Sequence, residues 1–330
     1  MSRTTQISWC HSTFNAWIGC TMVSAGCANC YAETQDRFRH WTPEGWGQGK
    51  PRKRTSVANW RQPLKWDKEA SATIERIKHD IGNASEYNPI DYERPRIFCG
   101  SLMDWLDDEV PAEWLADLLR LIHNTRNLDW LLLTKRPENF LPRMDAALKN
   151  LKGIENIQLG CSICNWIAGH PWSNVWLGTT VENQEMAELR IPKLLAIPAR
   201  VRFLSCEPLL GPVDIISTLC GPVCDKYIEH GDPVPLDWLI CGGESGPHAR
   251  PMHPGWARSL RDQCAKAGVP FFFKQWGEWL PGCQYQEGDL AKFHEKAQHS
   301  WDLDNHSWWV GKKLSGHFLD ACEHHEFPTP

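Results

Sequence analysis

Six short apolar runs, separated by amphipathic stretches, constrain the fold more than any other feature of this chain. They are Arg96–Ser101 (RIFCGS), Asp129–Thr134 (DWLLLT), Val175–Thr180 (VWLGTT), Val201–Cys206 (VRFLSC), Asp237–Gly242 (DWLICG) and Val269–Lys274 (VPFFFK). Each is nearly continuous in apolar residues, the pattern of a strand buried on both faces of a parallel sheet. A shorter run, Ala16–Gly19, stands just before Cys20 and reads as a first strand. Helices fit between the runs. Pro111 suits a helix start, and Trp114, Leu115, Leu118, Leu119 and Ile122 follow on one face. Pro254 opens another helix, with Trp256, Leu260 and Cys264 at four-residue spacing and Gly268 as its stop. This alternation predicts an α/β fold, a (β/α) barrel that is partial or closed, with a doubly wound sheet as the alternative.

The barrel is expected over residues 1–280, followed by an irregular C-terminal extension over 281–330. Three insertions interrupt the repeat, at 42–61, 151–174 and 219–235, and the last two carry cysteine pairs. A net charge of -5 excludes a global basic field that would gather nucleic acid. No apolar stretch approaches the roughly 18 residues of a membrane span, and the N-terminus lacks the apolar core of a signal peptide. A cytoplasmic protein of a bacterium or phage-infected host, without a membrane partner, is the expectation. The chain has 19 tryptophans, and their scatter reads as core packing rather than one stacking surface.

Fourteen cysteines in a reducing compartment point to metal or redox chemistry where they cluster. The densest cluster is Gly19-Cys20-Thr-Met-Val-Ser-Ala-Gly-Cys27-Ala-Asn-Cys30-Tyr31. Thiolates are soft ligands that suit iron–sulfur clusters or zinc. A [4Fe–4S] cluster on three protein thiolates keeps one iron open to a substrate or cofactor, whereas a fourth cysteine closes it. A zinc knuckle completed by Cys10 or His11 is a second reading, and three ordinary buried thiols the plainest. Cys161 and Cys164, with Cys220 and Cys224, would supply four thiolates for a second metal, zinc or iron–sulfur, if their two insertions meet. Cys99, Cys206, Cys241 and Cys264 fall on strands or helix faces and read as small core residues. His324 and His325 read as solvent-exposed.

The stretch Ile7-Ser-Trp9 … Asn15-Ala-Trp17-Ile-Gly19-Cys20 … Gly26-Cys27-Ala-Asn-Cys30-Tyr31-Ala-Glu33 resembles a phage-associated family of uncharacterised proteins with an N-terminal three-cysteine motif. That family is related to the radical S-adenosylmethionine (SAM) superfamily. Trp130-Leu-Leu-Leu-Thr-Lys-Arg-Pro137, Thr180-Val-Glu-Asn183, Phe203-Leu-Ser-Cys-Glu-Pro-Leu-Leu210, Cys241-Gly-Gly-Glu-Ser-Gly-Pro247, Arg250-Pro-Met-His-Pro254 and Phe272-Phe-Lys-Gln-Trp-Gly277 extend the likeness to about residue 280. The resemblance implies a barrel of radical SAM type with its cluster loop after the first strand. Cys20, Cys27 and Cys30 would hold a [4Fe–4S] cluster whose open iron is chelated by the amino and carboxylate groups of SAM. Reduction through an electron donor protein would cleave SAM to a 5′-deoxyadenosyl radical that abstracts hydrogen from a substrate. Two departures stand out. Six residues separate Cys20 from Cys27 where the commoner pattern has three, and Asn29 precedes Cys30 where that pattern favours an aromatic.

In a (β/α) barrel, chemistry sits at the C-terminal strand ends. Polar residues recur there: Gly100, Ser101 and Asp104; Thr134, Lys135 and Arg136; Thr180, Glu182 and Asn183; Ser205 and Glu207; Glu244 and Ser245; Lys274 and Gln275. By position, Gly100, Ser101 and Asp104 would approach the amino group of SAM. Glu182 and Asn183 would hold its ribose hydroxyls, because a carboxylate accepts two hydrogen bonds from a diol, with Thr180 beside them as a further cofactor-binding residue. Glu207, Glu244, Lys135 and Lys274 would face the substrate as catalytic groups, or else pair across the mouth. The Gly242–Gly246 stretch could cradle a phosphate through backbone amides. Lys50, Arg52, Lys53 and Arg54, near Trp60, Arg61, Lys65 and Trp66, form the one local patch suited to nucleic acid, with a solvated loop as the plainer reading. The expected function is a radical-SAM-like enzyme acting on an unknown substrate, with nucleic acid among the candidates. The alternatives are a zinc-stabilised nucleic-acid-binding protein without catalysis and a cluster-containing barrel that does not use SAM.

Overall fold

The computed structural model describes residues 5–82, 92–220, 235–284 and 296–329. The chain enters through strand β1 (Ser12–Phe14) and then a two-stranded antiparallel ribbon, β2 (Trp17–Ile18) with β3 (Lys53–Arg54). Six further strands follow: β4 (Arg96–Cys99), β5 (Asp129–Thr134), β6 (Val175–Thr180), β7 (Val201–Cys206), β8 (Trp238–Gly242) and β9 (Phe271–Gln275). They lie in the order β1-β4-β5-β6-β7-β8-β9, and every neighbouring pair is parallel. This sheet is curled into a half barrel, and β1 and β9 stand at its two edges. The expected first strand at Ala16–Gly19 is a correction. The parallel ladder starts at Ser12, and Trp17–Ile18 pairs with Lys53–Arg54 instead.

Helices make the crossovers. Helices α1 (Tyr31–Arg39), α2 (Val57–Trp60) and α3 (Gln62–Gly82) join β1 to β4, and α4 (Ala112–His123) joins β4 to β5. Helices α5 (Phe140–Asn150) and α6 (Ile157–Ile167) precede β6, α7 (Gln184–Leu195) precedes β7, α8 (Ile215–Cys220) follows β7, and α9 (Pro254–Ala267) precedes β9. Pro111 caps α4 and buries Leu115, Leu118, Leu119 and Ile122 as their spacing predicts. Helix α9 starts at Pro254 and stops at Gly268, whose φ of 65° suits a residue without a Cβ.

Strand residues alternate between two cores. Ile97, Leu132, Leu177, Leu204, Leu239 and Phe273 point outward and join the helix faces. Phe98, Leu131, Trp176, Phe203, Trp238 and Phe272 point inward and pack with Trp9 inside the curl. Large rings suit this inner face, because an open half barrel encloses more width than aliphatic chains would fill. Gly178 makes the room: a Cβ there would lie 2.3 Å from the Phe203 ring. The aromatic layer fills the lower part of the curl and leaves a cavity above it.

The C-terminal extension is more ordered than expected. Strands β10 (Trp279–Pro281), β11 (Gln298–Ser300) and β12 (His306–Trp309) form an antiparallel sheet in the order β10-β12-β11, followed by the short helix α10 (Lys312–Ser315). The chain then returns to β9, where Phe273 donates its N–H to the His324 carbonyl at 2.8 Å and His325 bridges Phe272 antiparallel. The His325 ring stacks on Phe272, with centroids 4.7 Å apart. Cys161 and Cys164 lie exposed one turn apart on α6. Cys220 ends α8, and Cys224 lies outside the described residues, as does most of the 219–235 insertion. Among the described residues, no helix is long and apolar enough to cross a membrane.

Candidate functional site

The inward parity of the strands continues past their C-terminal ends. Two-residue steps lead from Phe98 to Gly100, from Leu133 to Lys135, from Phe203 through Ser205 to Glu207, and from Phe272 to Lys274. These ends and the cysteine loop line one half-open cavity of about 690 Å³. Gly100, Ser101, Asp104, Lys135, Thr180, Glu207, Glu244 and Lys274 border it, and Cys20, Cys27 and Cys30 border it too.

Local chemistry shapes the loop. It leaves β2 through Gly19, at φ 117°, where a Cβ would lie 2.8 Å from the Arg52 side chain. A short turn at Ala25–Cys27 follows, closed by Cys27 N–H donating to Ser24 O at 3.0 Å. Cys30 then stands at the start of α1. All three thiols are half-buried. Burial pushes Cys20 up to about 12, Asp104 adds to the rise and Arg136 opposes it. Burial also raises Cys30, with Lys135 among the groups opposing it.

Buried charged groups fasten the loop at three points. At the first, Arg136 donates to Asp104 at 2.9 Å, to the Thr21 carbonyl at 2.7 Å and to the Cys20 sulfur at 3.5 Å. Arg52 completes this corner, donating to Asp107 at 2.8 Å and to the Thr21 hydroxyl at 2.7 Å. At the second, Glu182 accepts from Gly26 N–H at 3.2 Å and from Arg190 at 2.8 Å. At the third, Glu244 accepts from Asn29 at 2.9 Å and from Arg250 at 2.5 Å, while Arg250 also reaches the Ala25 carbonyl at 3.0 Å. Burial pushes Glu244 upward, but the hydrogen bonds from Arg250 and Asn29 outweigh it and hold the carboxyl below its usual value.

These contacts correct several expectations. Asp104 accepts from Arg136, Thr134, Lys135 N–H and Leu106 N–H, so its carboxylate is filled by protein donors rather than open to an amino group. Glu182 is fully buried with both oxygens engaged, and Asn183 caps α7 by accepting from Met186 N–H. Neither borders the cavity, so neither meets a ribose there. Glu244 holds the loop instead of facing a substrate. In the glycine stretch two amides are spent inside the fold, Gly243 N–H on Gln275 O and Gly246 N–H on Glu278. Arg52 is 7 % exposed and bound internally, which removes it from the nucleic-acid patch. Arg54 pairs with Asp117 at 2.6 Å and lies over the Trp60 ring, while Lys50 and Lys53 are exposed.

What remains directed at the cavity is a smaller set. Lys274 pairs with Glu207 at 2.7 Å. Lys135 has no ion-pair partner among the described residues. Thr180 Oγ1 and Gln275 Oε1 are buried without a hydrogen-bond partner among the described residues. Lys312, from the C-terminal extension, also lines the cavity. Sequence reasoning missed Arg190, Arg250 and Lys312. Arg190 and Glu182 sit eight residues apart across a strand–helix junction, and Arg250 opens a motif read only for likeness. Nothing local marks Lys312.

Neither residue offered for a zinc knuckle borders the cavity. His11 Nδ1 accepts from Arg96 N–H at 2.9 Å, and Cys10 is buried, its thiol pushed up to about 12 by burial. Among the described residues, no three His, Cys, Asp or Glu side chains converge where one metal ion would sit. No curated protein and no solved structure matches the chain significantly. A family model described as a protein of unknown function, DUF5131, matches residues 4–328, and the chain belongs to that family.

Proposed function

We propose that this protein is a radical-SAM-like iron–sulfur enzyme whose cluster is held by Cys20, Cys27 and Cys30. The observation that carries the proposal is one loop, fastened by two buried ion pairs and one half-buried pair, whose three cysteines line the cavity at the strand ends. The donor chemistry fits. A mononuclear zinc needs donors converging to about 2.3 Å from one point. A cubane spreads its thiolates over separate irons, so its ligands can ring a cavity without meeting. A bound cluster and SAM would supply one-electron cleavage of SAM and a radical able to abstract hydrogen.

The chain's own residues do the rest. Arg136 donates to the Cys20 sulfur, and such hydrogen bonds tune a cluster's potential. Glu182 holds the loop at the Gly26 N–H, and Glu244 holds it through the Asn29 side chain and Arg250. The inner aromatic layer excludes water from below. Lys135, Lys274 and Glu207 face the substrate. The departures from the commoner motif are consistent with this scheme. The longer spacing accommodates the Gly26 contact to Glu182, and Asn29, in place of an aromatic, reaches Glu244.

The test is anaerobic reconstitution with iron, sulfide and zinc quantified, then incubation with SAM and dithionite and measurement of 5′-deoxyadenosine. The expected result is a brown protein that releases 5′-deoxyadenosine, with both properties lost in Cys27→Ala. Stoichiometric zinc without iron would overturn the proposal. Iron without 5′-deoxyadenosine would leave a cluster barrel that does not use SAM.

A further inference from the structure

We propose that the cavity takes a phosphate-bearing nucleotide, its phosphate held by Lys274 and Lys312 with Lys135 nearby, and its hydrogen-bond donors met by Gln275 and Thr180. The assignment rests on the cavity being the reaction chamber, and it names the class of substrate. The first argument is charge. Asp104 and Glu244 border the cavity but are closed off by Arg136 and Arg250. Glu278, beside Lys312, accepts from Gly246 N–H at 3.0 Å and Lys312 N–H at 2.9 Å. That leaves Lys135, Lys274 and Lys312 facing the cavity against the single carboxylate of Glu207. Among the lining residues these ammonium groups outnumber that carboxylate three to one, with Glu278 behind Lys312 as a further anion. A phosphate monoester, at about -1.5 to -2 at neutral pH, is an anion suited to a cluster of three lysines.

Burial first, and the neighbouring Lys274 second, lower the Lys312 pKa against the opposing pull of Glu207 and Glu278. The second argument is unmet hydrogen bonding. Thr180 is 1 % exposed and its hydroxyl has no hydrogen-bond partner among the described residues. Gln275 is 7 % exposed and donates to Ser245 Oγ at 2.8 Å, which leaves its Oε1 an unused acceptor. A buried acceptor without a donor is rare in a folded protein and calls for an N–H or O–H on a ligand. A nucleotide carries the dianion and such donors in one molecule, and about 690 Å³ is a volume suited to it. The C-terminal extension thereby supplies a binding residue, Lys312, to a site built otherwise from the half barrel.

The experiment reads binding, not turnover, so failure of radical chemistry and failure of this assignment are separate results. Intrinsic tryptophan fluorescence is titrated with the four deoxynucleoside monophosphates, with a single-stranded octamer, with the unphosphorylated deoxynucleosides and with citrate. Protein with and without reconstituted iron is used. The expected result is that a nucleotide or the octamer binds at least tenfold tighter than the nucleosides and citrate. The tighter of the two identifies the free or the strand-borne source. Lys274→Met and Lys312→Met should each weaken binding about tenfold, with circular dichroism unchanged. If either variant fails to fold, Lys135→Met and the salt dependence of the intact protein serve in its place. Equal affinity for nucleoside and nucleotide, tighter citrate binding, or no loss in any lysine variant would overturn the assignment.

Discussion

At the residue scale, the chain resolves an ambiguity that its sequence could not. Glu182 and Lys274 both stand at strand ends and both look chemical. Lys274 lies on the mouth, but Glu182 is fully buried against Arg190, which is 2 % exposed. The difference lies in Arg190, a helix residue whose approach depends on how α7 packs on β6. Strand parity is legible in sequence, and it places Gly100, Lys135, Thr180, Glu207 and Lys274 at one mouth. Whether a carboxylate there meets solvent or a buried guanidinium is not. A buried pair that loses one partner leaves an uncompensated charge, which costs about 3–5 kcal/mol. Glu182→Gln should therefore lower stability by about that amount in a urea titration. Glu182→Gln with Arg190→Met should recover much of the loss. Equal stability of Glu182→Gln and the parent would mean the pair is screened.

At the element scale, the cysteine loop is a clasp between the N-terminal segment and the ends of β5, β6 and β8. Its three thiols were readable, because their spacing is explicit in the chain. Its fastenings were not, since Arg136, Glu182 and Arg250 come from strand ends and helices far away in sequence. Removing the Arg250 side chain leaves the Glu244 carboxylate without its guanidinium and frees the Ala25 carbonyl. Arg250→Met should thus shed iron from reconstituted protein several-fold faster, as followed by chelator competition, while the far-ultraviolet spectrum stays the same. The clasp also carries a pH dependence. Hydrogen bonds hold the folded Glu244 pKa below its ordinary 4.5. Its stabilising contribution is present above that ordinary value and is lost as pH falls through the lower folded value. Limited proteolysis within 21–29 should therefore accelerate below about pH 4.5. In Glu244→Gln, cleavage should be faster at neutral pH and should vary less with acidity. A parent protein whose cleavage did not change with acidity would remove Glu244 from the clasp.

At the scale of the whole molecule, seven parallel strands in chain order make half a barrel, and a half barrel has two edges. An uncovered edge of paired-strand geometry invites association with another chain. The apolar runs announced the strands because doubly buried strands are uniform in composition. Three of them span the residues expected, and the others differ by one or two residues at one or both ends. The extension hid itself because its strands have only three or four residues, too few for a period to show. Yet it is what finishes the sheet. Its last segment lies along β9 through the His324 carbonyl and the His325 bridge, and Phe327 packs on Trp238 with centroids 5.2 Å apart. It also satisfies two indole donors: Trp238 donates to Glu326 O and Trp276 to Phe318 O, each at 2.8 Å. A chain ending at residue 315 keeps Lys312 but loses both acceptors, at about 1–3 kcal/mol for each stranded donor. Such a chain should melt several degrees lower and elute as a concentration-dependent oligomer in size-exclusion chromatography, because β9 then presents an open edge. If it eluted as the full chain does, with an unchanged melting temperature, the extension would be a passive tail, and the sheet would have to be stable with β9 bare.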